Sequence, residues 1–180
     1  MKKINKFIQE ELKSYDQGVV DMLNLFATNS DGYQHYLYSK KAKDADSVDI
    51  HPLSDVFDPE DLNTIKRAIK PKPKMCYENA WKLADWFYLE DKYDIQYCEG
   101  YLNFKGFPIE HAFNKVNGMY VDCTVELALK RDVREDTYVV IGEFDVDTVR
   151  EILLENGYYG NIYDSIELKK FKELSKKDVA

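Results

Sequence analysis

A cysteine, a histidine and an aspartate occupy positions from which they could form a catalytic triad. Cys76 follows a proline-containing stretch and begins a segment with helical periodicity, whereas His111 and Asp122 flank a turn-forming dipeptide further along the chain. A thiolate is a strong nucleophile, an imidazole can exchange a proton with it, and a carboxylate can hold the imidazole in one tautomer. These three residues therefore predict nucleophilic catalysis at Cys76, with His111 as base and Asp122 as orienting acid.

The turn between the histidine and the aspartate predicts that the two side chains meet. Asn117-Gly118 is a strong signal for a β-hairpin with a two-residue loop. Such a loop places Phe113 opposite Asp122, so that His111 and Asp122 lie on one sheet face as diagonal neighbours, about 7–8 Å apart at the backbone. A three-residue loop would place them on opposite faces.

The helix that begins at Cys76 is expected to assist the chemistry. A helix N-terminus and a nearby imidazolium both favour a thiolate over a thiol. No Ser, Thr, Asp or Asn stands at 74–76 to cap this helix, so its first backbone N–H groups are available to bind a developing oxyanion. Asn79 and Gln96 are weaker candidates for a second oxyanion donor.

The elements that must position these residues follow from periodicity and turn signals. Helices are predicted at 2–14, 19–27, 58–70, 76–90, 145–156 and 163–176. Strands are predicted at 94–104, 109–116, 119–125 and 138–144. Residues 33–57 lack clear periodicity and are predicted to form a long loop. Helices followed by a run of antiparallel strands favour an α+β fold.

The length of 180 residues favours one domain. We expect it to consist of a helical N-terminal part (1–70), a core of one helix and a sheet (71–144) and C-terminal helices (145–180). Three cysteines without paired spacing make a disulfide framework unexpected, and Cys98 and Cys123 are interpreted as core or strand residues.

Charge and hydropathy exclude several classes of partner. The formal net charge of −8 disfavours binding to nucleic acid. No apolar run approaches the ~20 residues of a membrane span, and the N-terminus has no apolar signal core, so we expect a cytoplasmic protein. Without a zinc-binding motif or a glycine-rich phosphate loop, neither a metal nor a cofactor is predicted.

The blocks around the three residues resemble the papain-like superfamily, in the Cys–His–Asp form found in transglutaminase-like proteins, arylamine N-acetyltransferases and bacterial cell-wall endopeptidases. The resemblance covers roughly residues 70–127 and rests on these stretches: Cys76-Tyr77-x-Asn79-Ala80, Glu99-Gly100-Tyr101, Ile109-x-His111-Ala112-Phe113 and Gly118-x-x-Val121-Asp122-x-Thr124. Similar blocks occur in small bacterial and phage proteins. The resemblance implies a papain-like fold, with N-terminal helices and a central helix packed on an antiparallel sheet, and the same three catalytic roles.

Together these observations predict a thiol hydrolase or acyltransferase that forms a thioester at Cys76. Protease, deamidase and transglutaminase-like activities share that first step, and the substrate would be a peptide, a protein or a small amide or ester. The main alternative is a catalytically inactive scaffold of the same fold that binds a protein partner. An acidic inhibitor that imitates nucleic acid is a further alternative, supported only by the net charge.

Overall fold

The computed structural model describes residues 47–104, 107–160 and 162–177. Within these ranges the protein is a mixed α+β structure with one six-stranded sheet, which confirms the predicted fold class. The helices predicted at 2–14 and 19–27 lie outside the described residues, as does most of the predicted loop 33–57. None of the helices described is long and apolar enough to cross a membrane.

The sheet has the strand order β1-β6-β3-β4-β5-β2. Its strands are β1 (Ser47–Val48), β2 (Ile50–His51), β3 (Ile95–Phe104), β4 (Phe107–Val116), β5 (Met119–Val121) and β6 (Thr137–Phe144). β3 and β4 form a long antiparallel hairpin at the centre. The end of the loop 33–57, for which the sequence allows one short element, instead contains two short strands. β1 pairs with β6 and β2 runs parallel to β5, so that β1 and β2 form the two edges of the sheet.

The β4–β5 hairpin has the predicted register. Val116 pairs with Met119, and both loop residues, Asn117 and Gly118, have positive φ angles of 49° and 83°. These angles match the twist of a two-residue hairpin loop. The alternation of faces along β4 therefore follows the prediction.

The predicted length of the last hairpin strand was wrong, because β5 ends at Val121 instead of residue 125. Oδ1 of Asp122 accepts hydrogen bonds from the backbone N–H groups of Thr124 and Val125, at 2.8 and 3.1 Å. An aspartate that bonds its own following backbone competes with the strand ladder. The chain consequently turns into a π-helical segment, Thr124–Ala128, and Asp122 has no strand partner in β4.

The helix α1 (Pro59–Thr64) starts and stops as predicted. Asp58 caps it by accepting hydrogen bonds from the N–H groups of Glu60 and Asp61. The helix continues as a π-helical turn, Ile65–Ile69, and ends at Lys70, whose φ of 50° is left-handed. The proline that follows cannot continue a helix.

The helix α2 (Cys76–Leu89) packs on one face of the sheet. Its apolar periodicity predicts a buried stripe of Cys76, Ala80, Leu83, Ala84 and Phe87. The last four are buried and join a core that includes Ile95, Tyr97, Ala112 and Val116, whereas Cys76 is partly accessible. A second core lies on the other sheet face and contains Cys98, Leu102, Phe113, Val125, Val133 and Tyr138. Cys98 and Cys123 are both buried free thiols, in agreement with their interpretation as core residues.

Two C-terminal helices complete the described chain. In α3 (Val146–Asn156), Asp145 caps the first turn and Gly157, with φ of 75°, ends the helix as predicted. The helix α4 (Ile162–Lys177) follows the predicted segment 163–176. Glu99 fixes the start of α4, since its buried carboxylate accepts hydrogen bonds from the N–H groups of Ile162 and Tyr163 at 3.0 and 2.9 Å.

Candidate active site

Cys76 is the first residue of α2 and is partly accessible to solvent. The first hydrogen bond of the helix joins the N–H of Asn79 to the carbonyl oxygen of Met75 at 2.8 Å. Among the described residues, no side chain caps this N-terminus. The N–H groups of the first turn therefore point from an uncapped helix end toward the surroundings of the thiol.

His111 lies against Asp122 in the protein interior. Its Nε2 is 2.7 Å from Oδ2 of Asp122, and the two residues are 6% and 1% exposed. Cys76 lies near the imidazole, since its side chain contributes to raising the pKa of His111, and Nδ1 is the nitrogen that the contact with Asp122 leaves open toward it. The three predicted site residues are thus adjacent, in the order Cys76, His111, Asp122.

The environment of His111 favours the imidazolium. Burial alone would lower the pKa of His111, but the negative charge of Asp122 and its hydrogen bond outweigh burial. The interaction with Cys76 acts in the same direction, so the pKa of His111 is raised above its usual value. A positively charged ring beside the sulfur stabilises a thiolate.

Asp122 is held as a carboxylate by four hydrogen-bond donors. Oδ1 accepts from the backbone N–H groups of Thr124 and Val125, and Oδ2 accepts from Tyr138 Oη at 2.9 Å in addition to contacting His111. Burial raises the pKa of Asp122, but the charge of His111 and these bonds more than compensate, so the pKa is lowered. The backbone hydrogen bonds to Asp122 that end β5 therefore also hold its carboxylate against the imidazole of His111.

Two aromatic rings fix the plane of the imidazole. The His111 ring stacks on Phe113 with 19° between the planes and 6.4 Å between centroids. Tyr138 meets it edge to face at 6.1 Å. Sequence reasoning did not identify Tyr138 as part of the site, and nothing in its local sequence separates it from the other 13 of the chain's 14 tyrosines.

Asn79 has a positional role, and the expectation that it could donate to an oxyanion was wrong. Its Oδ1 accepts from the N–H of Lys72 at 3.0 Å, and its Nδ2 donates to the carbonyl oxygen of Lys72 at 2.8 Å and to Oγ1 of Thr124 at 3.0 Å. Both polar atoms of the amide are therefore occupied. Asn79 joins the segment before Cys76 to the turn that follows Asp122.

Gln96 lines a groove together with Tyr88 and Asp145, and its role as an oxyanion donor stays a prediction. The uncapped backbone of α2 remains the source of oxyanion donors that agrees with the geometry.

No group of three metal-ligating side chains converges in the part of the chain that the structure describes. Comparison of the chain with models of protein families, with curated proteins and with solved structures finds no match. The papain-like assignment therefore stays a prediction from the sequence blocks around Cys76, His111 and Asp122.

Proposed function

We propose that the protein is a thiol hydrolase or acyltransferase of papain-like, transglutaminase-like type, which acts on an amide or ester carbonyl through a thioester at Cys76. The observation that supports this proposal is that Cys76 interacts with His111, whose Nε2 lies 2.7 Å from Oδ2 of Asp122. A nucleophile, a base and a group that orients the base are the parts that covalent acyl transfer requires.

In the first half-reaction the thiolate of Cys76 attacks the carbonyl carbon and a C–S bond forms. The carbonyl oxygen becomes an oxyanion, which the backbone N–H groups at the start of α2 stabilise. When the tetrahedral intermediate collapses, the bond to the leaving amine or alcohol breaks, and His111 donates its proton to the departing atom.

In the second half-reaction water or an amine attacks the thioester. His111, now neutral, accepts the proton of the attacking group, and the thiolate of Cys76 departs. Asp122 keeps the ring in one orientation and stabilises the imidazolium, which is present at the start of the first half-reaction and forms again in the second. Water gives hydrolysis and an amine gives acyl transfer, so one site accounts for both activities.

We further propose a single cytoplasmic domain whose substrate is a peptide, a protein or a small amide or ester. The second candidate function is an inactive scaffold that binds a protein partner. The observation that favours the scaffold is the burial of His111, which is 6% exposed and therefore offers a substrate little access to the imidazole.

An activated ester separates the two candidates. We expect p-nitrophenyl acetate to give a burst of nitrophenolate and an acetyl group on Cys76, located by peptide mass spectrometry. The buried Cys98 and Cys123 serve as internal controls and should stay unmodified. The burst should be absent from the Cys76→Ser and His111→Ala variants. Failure of Cys76 to acylate, or equal acylation in His111→Ala, would reject the enzyme in favour of the scaffold.

A further inference from the structure

The chain that leads to the candidate nucleophile is strongly basic, although the protein as a whole is acidic. Residues 66–74, here called the basic segment, contain five exposed cationic side chains, those of Lys66, Arg67, Lys70, Lys72 and Lys74. No acidic residue interrupts the sequence between Leu62 and Tyr77, whereas the full chain has a net charge of −8. The local charge around the approach to Cys76 is thus opposite to that of the molecule.

Within the described chain, four of the five cations have no neighbouring carboxylate that offsets them; the fifth, Lys66, interacts with the charge of Glu126. Other lysines pair with carboxylates, such as Lys82 with Glu78, Lys92 with Asp58 and Lys115 with Glu143. No ion pair joins a cation of the basic segment to a carboxylate within residues 47–104, 107–160 and 162–177. The charges of Arg67, Lys70, Lys72 and Lys74 are therefore available to a ligand.

The backbone of the basic segment is held in place. Lys70 and Lys74 adopt left-handed φ angles of 50° and 63°, which cost energy for residues other than glycine. Two prolines restrict the backbone between them, and the Asn79 side chain bonds both the N–H and the carbonyl oxygen of Lys72. Conformations of this kind persist where the surrounding structure enforces them, and they cluster at functional sites.

We propose that the basic segment binds an acidic stretch of polypeptide and thereby selects the substrate whose carbonyl reaches Cys76. The inference rests on the proposed function, which it deepens by naming a substrate class. The five charges are spread over nine residues, 66–74. A row of carboxylates on a polypeptide can contact several of these charges at once, whereas a small anion can contact only one or two.

A polypeptide fits the surroundings better than a nucleic acid does. Outside the basic segment the chain has 33 acidic and 20 basic residues (25 minus 5), so the remaining surface is net negative. A long polyphosphate that extended beyond the basic segment would be repelled by this surface. A short acidic peptide can lie entirely along the basic segment and so avoid this repulsion.

Two alkylating reagents that differ in charge report the electrostatic potential at the Cys76 thiol without any substrate. Iodoacetate is negatively charged and iodoacetamide is neutral, so the ratio of their rates at Cys76 reports local charge. In the double variant K72Q/K74Q we expect this ratio to fall about fivefold at low salt. The matched double variant K130Q/K169Q makes the same change in net charge at exposed positions outside the basic segment and should leave the ratio unchanged. Added salt should lower the wild-type ratio toward that of K72Q/K74Q.

Binding is tested separately in the full-length Cys76→Ala protein, in which no acyl transfer can occur. A fluorescein-labelled glutamate-rich peptide should bind by fluorescence anisotropy, and K72Q/K74Q should weaken its binding about tenfold relative to K130Q/K169Q. A glutamine-rich peptide should not bind.

The inference is overturned if the two double variants bind the peptide equally, if their alkylation ratios agree, or if a single-stranded oligonucleotide of equal charge binds more tightly than the peptide. Peptide binding with an unreactive Cys76 would reject the proposed function alone. If Cys76 is reactive but K72Q/K74Q changes neither the alkylation ratio nor the binding of the peptide, this inference alone is rejected.

Discussion

Tyr138 donates a hydrogen bond to Asp122 at the same carboxylate oxygen, Oδ2, that contacts His111. The phenol is 1% exposed, and it lies 2.9 Å from that oxygen. A buried carboxylate is stable in its charged form only when hydrogen-bond donors or opposite charge replace water. Tyr138 therefore supports the charge of Asp122 from the side opposite the backbone donors.

Removal of this hydroxyl in Tyr138→Phe should raise the pKa of Asp122 and lower the free energy of unfolding by about 1–2 kcal/mol at neutral pH. The folded-state pKa of Asp122 is below its unfolded value, so its charge stabilises the fold above the unfolded value of about 3.9, and this stabilisation is lost as the pH falls through the folded value. In Tyr138→Phe the loss should begin at a higher pH than in the wild type.

Acid titration followed by circular dichroism checks this shift. Tyr158→Phe is the matched control, since that phenol is 52% exposed. Identical acid transitions in Tyr138→Phe and the wild type would contradict the assigned hydrogen bond.

The pKa of His111 predicts a different pH dependence on the alkaline side. The folded value is raised above the unfolded value of about 6.5. The stabilisation from the imidazolium is therefore complete below about pH 6.5 and is lost as the pH rises through the folded value. Urea unfolding of the wild type and of His111→Gln between about pH 6 and 9 should show the difference in stability shrinking as pH rises. A difference that grows with pH would show that the ring is buried as the neutral form.

Asn79 is expected to position the nucleophile relative to the acid, although it touches neither. Asn79→Ala removes its bonds to Lys72 and Thr124, of which the bond to Oγ1 of Thr124 is buried, and this loss should cost about 2–3 kcal/mol of unfolding free energy. The alkylation rate of Cys76 should fall as well, because the helix start is no longer fixed to the turn after Asp122. Asn63→Ala, at an exposed position of α1, is the control and should change neither quantity. An unchanged free energy of unfolding in Asn79→Ala would contradict the positional role of Asn79.

Gly100 lies opposite His111 in β3 and at the point where the pairing with β6 shifts register. A Cβ at this position would lie 1.9 Å from the carbonyl oxygen of Val139, which is backbone and cannot move alone. Gly100→Ala should therefore destabilise the protein by about 2–4 kcal/mol. In Gly142→Ala the added Cβ meets only the ring of Phe144, a side chain that can rotate, so its thermal unfolding midpoint should fall less. Equal thermal unfolding midpoints in Gly100→Ala and Gly142→Ala would contradict the close approach of the β3 and β6 backbones at Gly100.

Local signals predicted much of the architecture. The Asp58-Pro59 start of α1, the Gly157 end of α3 and the apolar stripe of α2 each follow from short-range chemistry, namely capping, left-handed glycine and helical periodicity. The Asn117-Gly118 loop predicted the hairpin register and therefore the shared face of His111 and Asp122. These features depend on residues close together in the sequence.

The features that were mispredicted or not predicted depend on competition or on distant contacts. β5 is shorter than predicted because the Asp122 side chain bonds the backbone that would have continued the strand. β2 pairs with β5 across 70 residues, and Tyr138 reaches Asp122 from another strand. A single sequence contains no local signal for such pairings. The papain-like assignment stays a prediction.

The pairing of the Cys76 thiol with the His111 imidazole is tested most directly by alkylation with limiting iodoacetamide at about pH 6, where an ordinary thiol with a pKa near 8.5 reacts slowly. We expect that Cys76 alone is labelled in the native wild-type protein, that Cys98 and Cys123 remain unlabelled, and that the labelling disappears in His111→Ala. Equal, slow labelling of all three cysteines, or labelling of Cys76 that is unaffected by His111→Ala, would contradict the pairing of thiol and imidazole.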